Sequence, residues 1–154
     1  MGLILLKRTK LIVLACIAII GSCTSPNSDN KPFRITPSSE VKMKAKASDK
    51  NVYGFAYIQS EIDSALYLKW EIADKSLPDE WGAVFCDNVA CFLQMPDNNQ
   101  LDVIRKSDKV DDNLMRLMIE PFNKKGEGFV KLFIYENKNN WIKIDSIIYH
   151  IKVE

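Results

Sequence analysis

The residues whose types and spacing could do chemistry lie in LPDEWGAVFCDNVACF, Leu77 to Phe92, where Cys86 and Cys91 have four residues between them. Three chemistries compete for such a pair: thiol–disulfide exchange, metal binding and a loop-fastening disulfide. A redox-active pair normally sits as Cys-x-x-Cys at a helix N-terminus, where the helix dipole lowers one thiol's pKa. Here the spacing is longer, and Asp87 stands next to Cys86, placing negative charge where a reactive thiolate needs positive. A zinc site takes three or four ligands, but the segment offers two thiols and His150 is distant in sequence. Copper accepts Cys and Met, and Met95 lies four residues past Cys91. Met95-Pro96 reads more simply as a strand end. A structural disulfide is therefore favoured, with its sulfurs expected under Trp70 or beside Phe92.

Other candidates are weaker. Asp108, Asp111 and Asp112 in SDKVDDN could suggest calcium, but they lack an EF-hand's spacing, glycine and distal glutamate. His150 alternates with Tyr149 and Ile151, which places it on a solvated strand face. Trp70 is expected in the core, near the Cys86 hairpin. Trp81 and Trp141 stand at loop edges and are possible ligand-stacking residues, since aromatics in such places stack on sugar rings. No Ser/His/Asp or Cys/His pair, paired-carboxylate motif or glycine-rich phosphate loop is identifiable. The expectation is a protein that is not an enzyme and carries no cofactor and no metal.

The N-terminus sets the compartment. Lys7, Arg8 and Lys10 form a basic region, Leu11 to Ile20 is a run of ten apolar residues, and Gly21-Ser22 are small. A permanent transmembrane helix needs about 20 apolar residues, so this run reads as a cleaved signal peptide over residues 1–22. Ile20-Gly21-Ser22-Cys23 resembles the lipobox of bacterial lipoproteins. That resemblance implies that Cys23 receives a diacylglyceryl group, becomes the new N-terminus and is then N-acylated, with palmitate as a typical chain. Several acyl chains exceed the two-signal requirement for stable anchoring. The expected partner is a membrane reached through the lipid anchor. Thr24, rather than an aspartate, follows Cys23, and by resemblance to lipoprotein sorting this favours the outer membrane of the cell envelope. Cys16 would leave with the signal peptide and Cys23 would be blocked. Cys86 and Cys91 then have only each other in an oxidising compartment.

Residues 23–31 read as lipidated cysteine and flexible tether, polar and turn-rich. Residues 32–154 make one domain by length. Three of the 21 basic residues fall in the signal peptide and none of the 20 acidic ones do, leaving 18 against 20 and a net charge of −2. So weak a charge argues against nucleic acid as a partner.

Within that domain apolar residues recur with period two. Val41, Met43, Ala45 and Ala47 alternate with lysines, as in an edge strand with a charged outer face. Leu66, Leu68, Trp70 and Ile72 form a second run, and Met115, Leu117 and Ile119 a third. Val130, Leu132 and Ile134 form a fourth, and Tyr149, Ile151 and Val153 a fifth. Turn signals separate them at Pro78-Asp79, Pro96 to Asn99, Lys124 to Gly126 and Asn137 to Asn140. One further short strand is expected around Leu101 to Ile104. Short strands at this spacing describe an all-β sandwich.

The series Leu68-Lys69-Trp70-Glu71, Leu77-Pro78, Trp81, Cys86-Asp87 and Cys91-Phe92, followed by Ile119-Glu120-Pro121-Phe122 and Gly126 to Val130, resembles small Ig-like domains of exported proteins in bacteria that use type IX secretion. The resemblance implies an Ig-like antiparallel β-sandwich. The expected function is a lipid-anchored envelope module, not an enzyme, that binds an unknown envelope protein or a glycan. The alternative is a small thiol-disulfide or metal-handling lipoprotein centred on Cys86 and Cys91.

Overall fold

The computed structural model describes residues 31–154. The expected signal peptide, the expected lipidation site at Cys23 and the expected tether up to residue 30 lie outside the described residues.

Two five-stranded sheets face each other. The first contains β1 (Phe33–Thr36), β3 (Val52–Ser60), β8 (Leu114–Glu120), β5 (Gly82–Cys86) and β6 (Cys91–Phe92), in that spatial order. The second contains β2 (Glu40–Ala45), β10 (Trp141–Val153), β9 (Gly126–Asn137), β4 (Leu68–Ser76) and β7 (Asn98–Gln100). The only helix among the described residues is a 3-10 turn at Val110–Asn113. This is an Ig-like β-sandwich.

Alternation makes the core. Because successive side chains on a strand point to opposite faces, the five apolar runs each deliver one face inward. Met43, Leu68, Trp70, Met115, Leu117, Ile119, Val130, Leu132, Ile134, Tyr149, Ile151 and Val153 are all buried. Trp70 packs edge-on against Phe85 at 4.9 Å and Phe92 at 6.2 Å between ring centroids. Two buried hydrogen bonds tie sheet to sheet. Tyr149 Oη donates to the Met115 carbonyl at 2.8 Å, and Trp70 Nε1 donates to Asp87 Oδ2 at 2.8 Å.

The architecture departs from the sequence expectation in three places. The sandwich is not purely antiparallel: β2 runs parallel to β10, with Met43 opposite Ile151. β2 does occupy an edge, and its lysines face outward as expected. Asn98 and Asn99 are strand rather than turn, since β7 pairs with β4 there. The strand expected at Leu101 to Ile104 is reduced to a single bridge between Leu66 and Ile104, although both Leu101 and Ile104 are buried.

β1, β3 and β5 fall outside the five alternating runs. In β3 the inward residues are Val52, Gly54, Ala56, Ile58 and Ser60, while Tyr53, Phe55 and Tyr57 face outward. The bulky apolar set is on the wrong side for a hydrophobicity argument. Gly54 explains the inversion: a Cβ there would come within 2.7 Å of Met43 Sδ and 2.9 Å of Tyr149 Cδ1. Neighbours from the other sheet fill the space a side chain would need.

Candidate functional site: the disulfide hairpin and the outer face of its sheet

Cys86 and Cys91 stand directly opposite each other in the β5–β6 pair and form a disulfide. Their neighbours Phe85 and Phe92 point into the core against Trp70, so strand parity sends both sulfurs to the opposite, outer face. The expected placement under Trp70 or beside Phe92 is thereby corrected. Cys86 is buried and Cys91 is exposed.

The charge environment is corrected as well. Asp87 turns its carboxylate inward, away from the sulfurs. Its Oδ2 accepts from Trp70 Nε1 at 2.8 Å and Asn99 Nδ2 at 2.9 Å, and its Oδ1 from the Val89 and Ala90 amides at 2.8 and 3.0 Å. Four donors on a buried carboxylate make Asp87 the knot of the hairpin: it closes the Asn88–Ala90 turn and joins that turn to β4 and β7. The charge beside the disulfide comes instead from Arg116 on β8. Its Nη2 lies 3.0 Å from Cys86 Sγ and 3.6 Å from Cys91 Sγ.

Register assembles a surface around this guanidinium. Phe55, Arg116, Cys86 and Cys91 form one cross-strand row, and Tyr53, Met118 and Val84 form the next. Tyr53 and Phe55 are exposed and stacked, with centroids 6.0 Å apart and planes 17° from parallel. The Arg116 guanidinium lies 6.0 Å from the Tyr53 ring. Its Nε is buried without a hydrogen-bond partner, and no carboxylate of the described residues forms an ion pair with it. Sulfur is a weak acceptor. The face therefore presents an aromatic platform beside a cation that lacks an oxygen acceptor. Sequence reasoning missed Tyr53, Phe55 and Arg116. The signal that could have found the first two is the run of aromatics at alternate positions, separated by Gly54 and Ala56.

The remaining sequence candidates scatter. Trp81 is only 7% exposed, donates Nε1 to the Lys124 carbonyl at 3.0 Å and presses on Gly126; it packs and offers no open ring face. Trp141 is exposed on β10, with Lys69 Nζ 5.4 Å from its ring. His150 is exposed beside Lys42, Lys44, Phe129 and Lys152, which line a shallow groove on the other sheet. Asp108 Oδ2 accepts from the Arg105 amide at 2.6 Å, while Asp111 and Asp112 sit in the 3-10 turn. Among the described residues, no three of the His, Cys, Asp and Glu side chains are grouped to hold a metal ion. Met95 is half-buried and packs against the core.

No family model and no curated protein matches the chain. Solved structures do. The N-terminal domain of PorA superposes with a TM-score of 0.53 at 10% identity, covering 75% of this chain and 87% of that one. A Caenorhabditis elegans MSP family member, WR4, gives 0.43 at 14% identity over 80% of this chain and 98% of its own. A Porphyromonas gingivalis W83 protein of unknown function gives 0.43 at 14% identity over 80% of this chain and 48% of its own. The likeness to the PorA domain is one of fold, and it agrees with the Ig-like architecture.

Proposed function

We propose that this chain is a lipid-anchored cell-envelope module, not an enzyme, that binds a protein partner through the outer face of the β1-β3-β8-β5-β6 sheet. The observation that carries the reading is Arg116, whose guanidinium has no oxygen acceptor while Tyr53 and Phe55 lie open beside it. Protein interfaces concentrate aromatic and arginine anchors, and a partner carboxylate would supply the charge that no carboxylate of the described residues brings to this guanidinium. The glycan variant loses ground because Trp81 is buried, leaving Trp141 without the companion that a sugar-stacking pair needs.

The anchor is Cys23, and the sorting expectation places it in the outer membrane. Fractionation of cells carrying Cys23→Ser tests this arm: the variant should be unprocessed or soluble, and a processed, membrane-bound variant would sink it. Photo-crosslinking from position 55 in native envelopes tests the other arm. One discrete adduct should form and be lost in Arg116→Gln, while a crosslinker at Phe129 on the opposite sheet should not form it. Equal adducts from both faces would defeat the binding assignment.

A second reading, thiol–disulfide exchange, is favoured by one observation. Attack of an external thiolate on the exposed Cys91 sulfur would release Cys86 as a thiolate 3.0 Å from the Arg116 guanidinium, and such a cation stabilises a leaving thiolate. A free-thiol assay under mild reductant decides between them. Rapid appearance of two thiols that depends on Arg116 supports exchange; resistance supports the structural role. The metal variant is measured in the same assay by copper uptake.

A further inference from the structure

We propose that the β9–β10 hairpin is a membrane-contacting tip that lays this end of the sandwich on the lipid surface to which the chain is tethered. The inference rests on the reading of Cys23 as a lipid anchor, but its evidence is separate. Every residue from Asn137 to Lys143 is exposed, so the turn of the hairpin lies open to solvent beyond the buried core. It carries Trp141 at 36% and Ile142 at 50% exposure, and Tyr67 at 48% stands beside it through the Asn137 amide to Tyr67 carbonyl bond of 3.0 Å. An indole, a phenol and a branched aliphatic chain held open at one end of a domain are the side chains that settle at a bilayer interface.

The cations are placed to match. Lys69 Nζ lies 5.0 Å from the Tyr135 ring and 5.4 Å from Trp141, and Lys143 Nζ lies 3.4 Å from Phe133. Both ammonium groups thus stand over aromatic rings at this end of the sheet, where positive charge can meet lipid phosphates while the apolar tip enters the headgroup layer.

The position of the tether agrees. The described chain begins at Lys31, whose Nζ is held by Asp145 Oδ2 at 2.7 Å, four residues along β10 from Trp141. At about 3.3–3.6 Å per residue, the eight steps from Cys23 to Lys31 span at most about 29 Å. An acylated Cys23 would therefore keep the Trp141 end of the sandwich within reach of the bilayer.

The test uses the full-length processed protein, purified from envelopes and incorporated into phosphatidylethanolamine–phosphatidylglycerol vesicles whose acyl chains carry bromine, a contact quencher of indole. Trp70 and Trp81 are buried in the fold, so quenchable emission reports Trp141. Vesicle flotation reads the anchor independently. Floating protein with quenched emission, with quenching absent in Trp141→Phe and diminished in Lys69→Glu/Lys143→Glu, is the expected result. Quenching without flotation supports the hairpin contact and removes the anchor. Flotation with no quenching leaves the anchor standing and overturns the hairpin contact, as does crosslinking of the hairpin to a polypeptide with emission unquenched. Neither flotation nor quenching overturns both.

Discussion

Trp70 on β4 donates its indole Nε1–H across the sandwich to Asp87 Oδ2 at 2.8 Å, joining the core of one sheet to the disulfide hairpin of the other. The same carboxylate holds Asn99 and the Val89 and Ala90 amides. One side chain thus connects β4, β7 and the β5–β6 turn, and the hairpin that carries Cys86 is braced from inside before the disulfide closes it from outside.

Asp87→Ala should cost about 2–4 kcal/mol, because it strands buried donors and removes charge-assisted hydrogen bonds. Asp87→Asn should be nearly as damaging. Its single oxygen can serve the Val89 and Ala90 amides, but its NH2 would then face the indole N–H and the Asn99 amide donors. Urea unfolding of both variants checks this; a near-neutral Asp87→Asn would mean that the four-donor geometry is wrong.

Replacing both Cys86 and Cys91 with serine should lower stability by about 2 kcal/mol, the chain-entropy value for so short a closed loop. The Asp87 knot should keep the fold intact. If the protein-binding reading holds, the crosslink from position 55 should survive in this variant below its melting temperature. Its disappearance from a folded double variant would move function to the cysteines themselves.

Burial pushes the Tyr149 hydroxyl pKa well above its ordinary value. The folded state therefore favours the protonated phenol, and the unfolded chain releases its proton first as pH rises past about 10. That stability is fully present below this point and declines at higher pH. Tyr149→Phe should lose about 1–2 kcal/mol at neutral pH through the missing bond to the Met115 carbonyl, and its alkaline limb should be shallower than that of the wild type. Parallel limbs in denaturation curves taken across this range would refute the burial argument.

Gly54→Val should destabilise by about 1–3 kcal/mol by overpacking, since its Cβ would meet Met43 and Tyr149 at 2.7–2.9 Å. Gly54→Ala should cost less, because the Met43 side chain is flexible and can withdraw. Thermal melts of the two variants rank them; equal melting temperatures for Val and wild type would mean that β3 turns another face inward.

The sequence by itself determined the sandwich and most of its core, because a half-buried strand writes its inner face as a period of two, and residues such as Leu117, Leu132 and Ile151 carry that period in one chain segment. It also singled out Cys86 and Cys91 as partners, since the expected export and the short supply of other thiols leave each only the other. Tertiary structure alone decided where those sulfurs point and what stands beside them. Parity within β5 puts Cys86 opposite in direction to Phe85, but only the cross-strand register brings Arg116, thirty residues further on, against the disulfide. β3 was illegible for a related reason. Its inner positions are small because Met43 and Tyr149 arrive from other strands to fill the space, and its aromatics face outward, so hydrophobicity read along the chain assigns the wrong side. The parallel pairing of β2 with β10 is equally a matter of which distant edge a strand meets, and no local pattern of lysines and apolar residues encodes the direction of that neighbour.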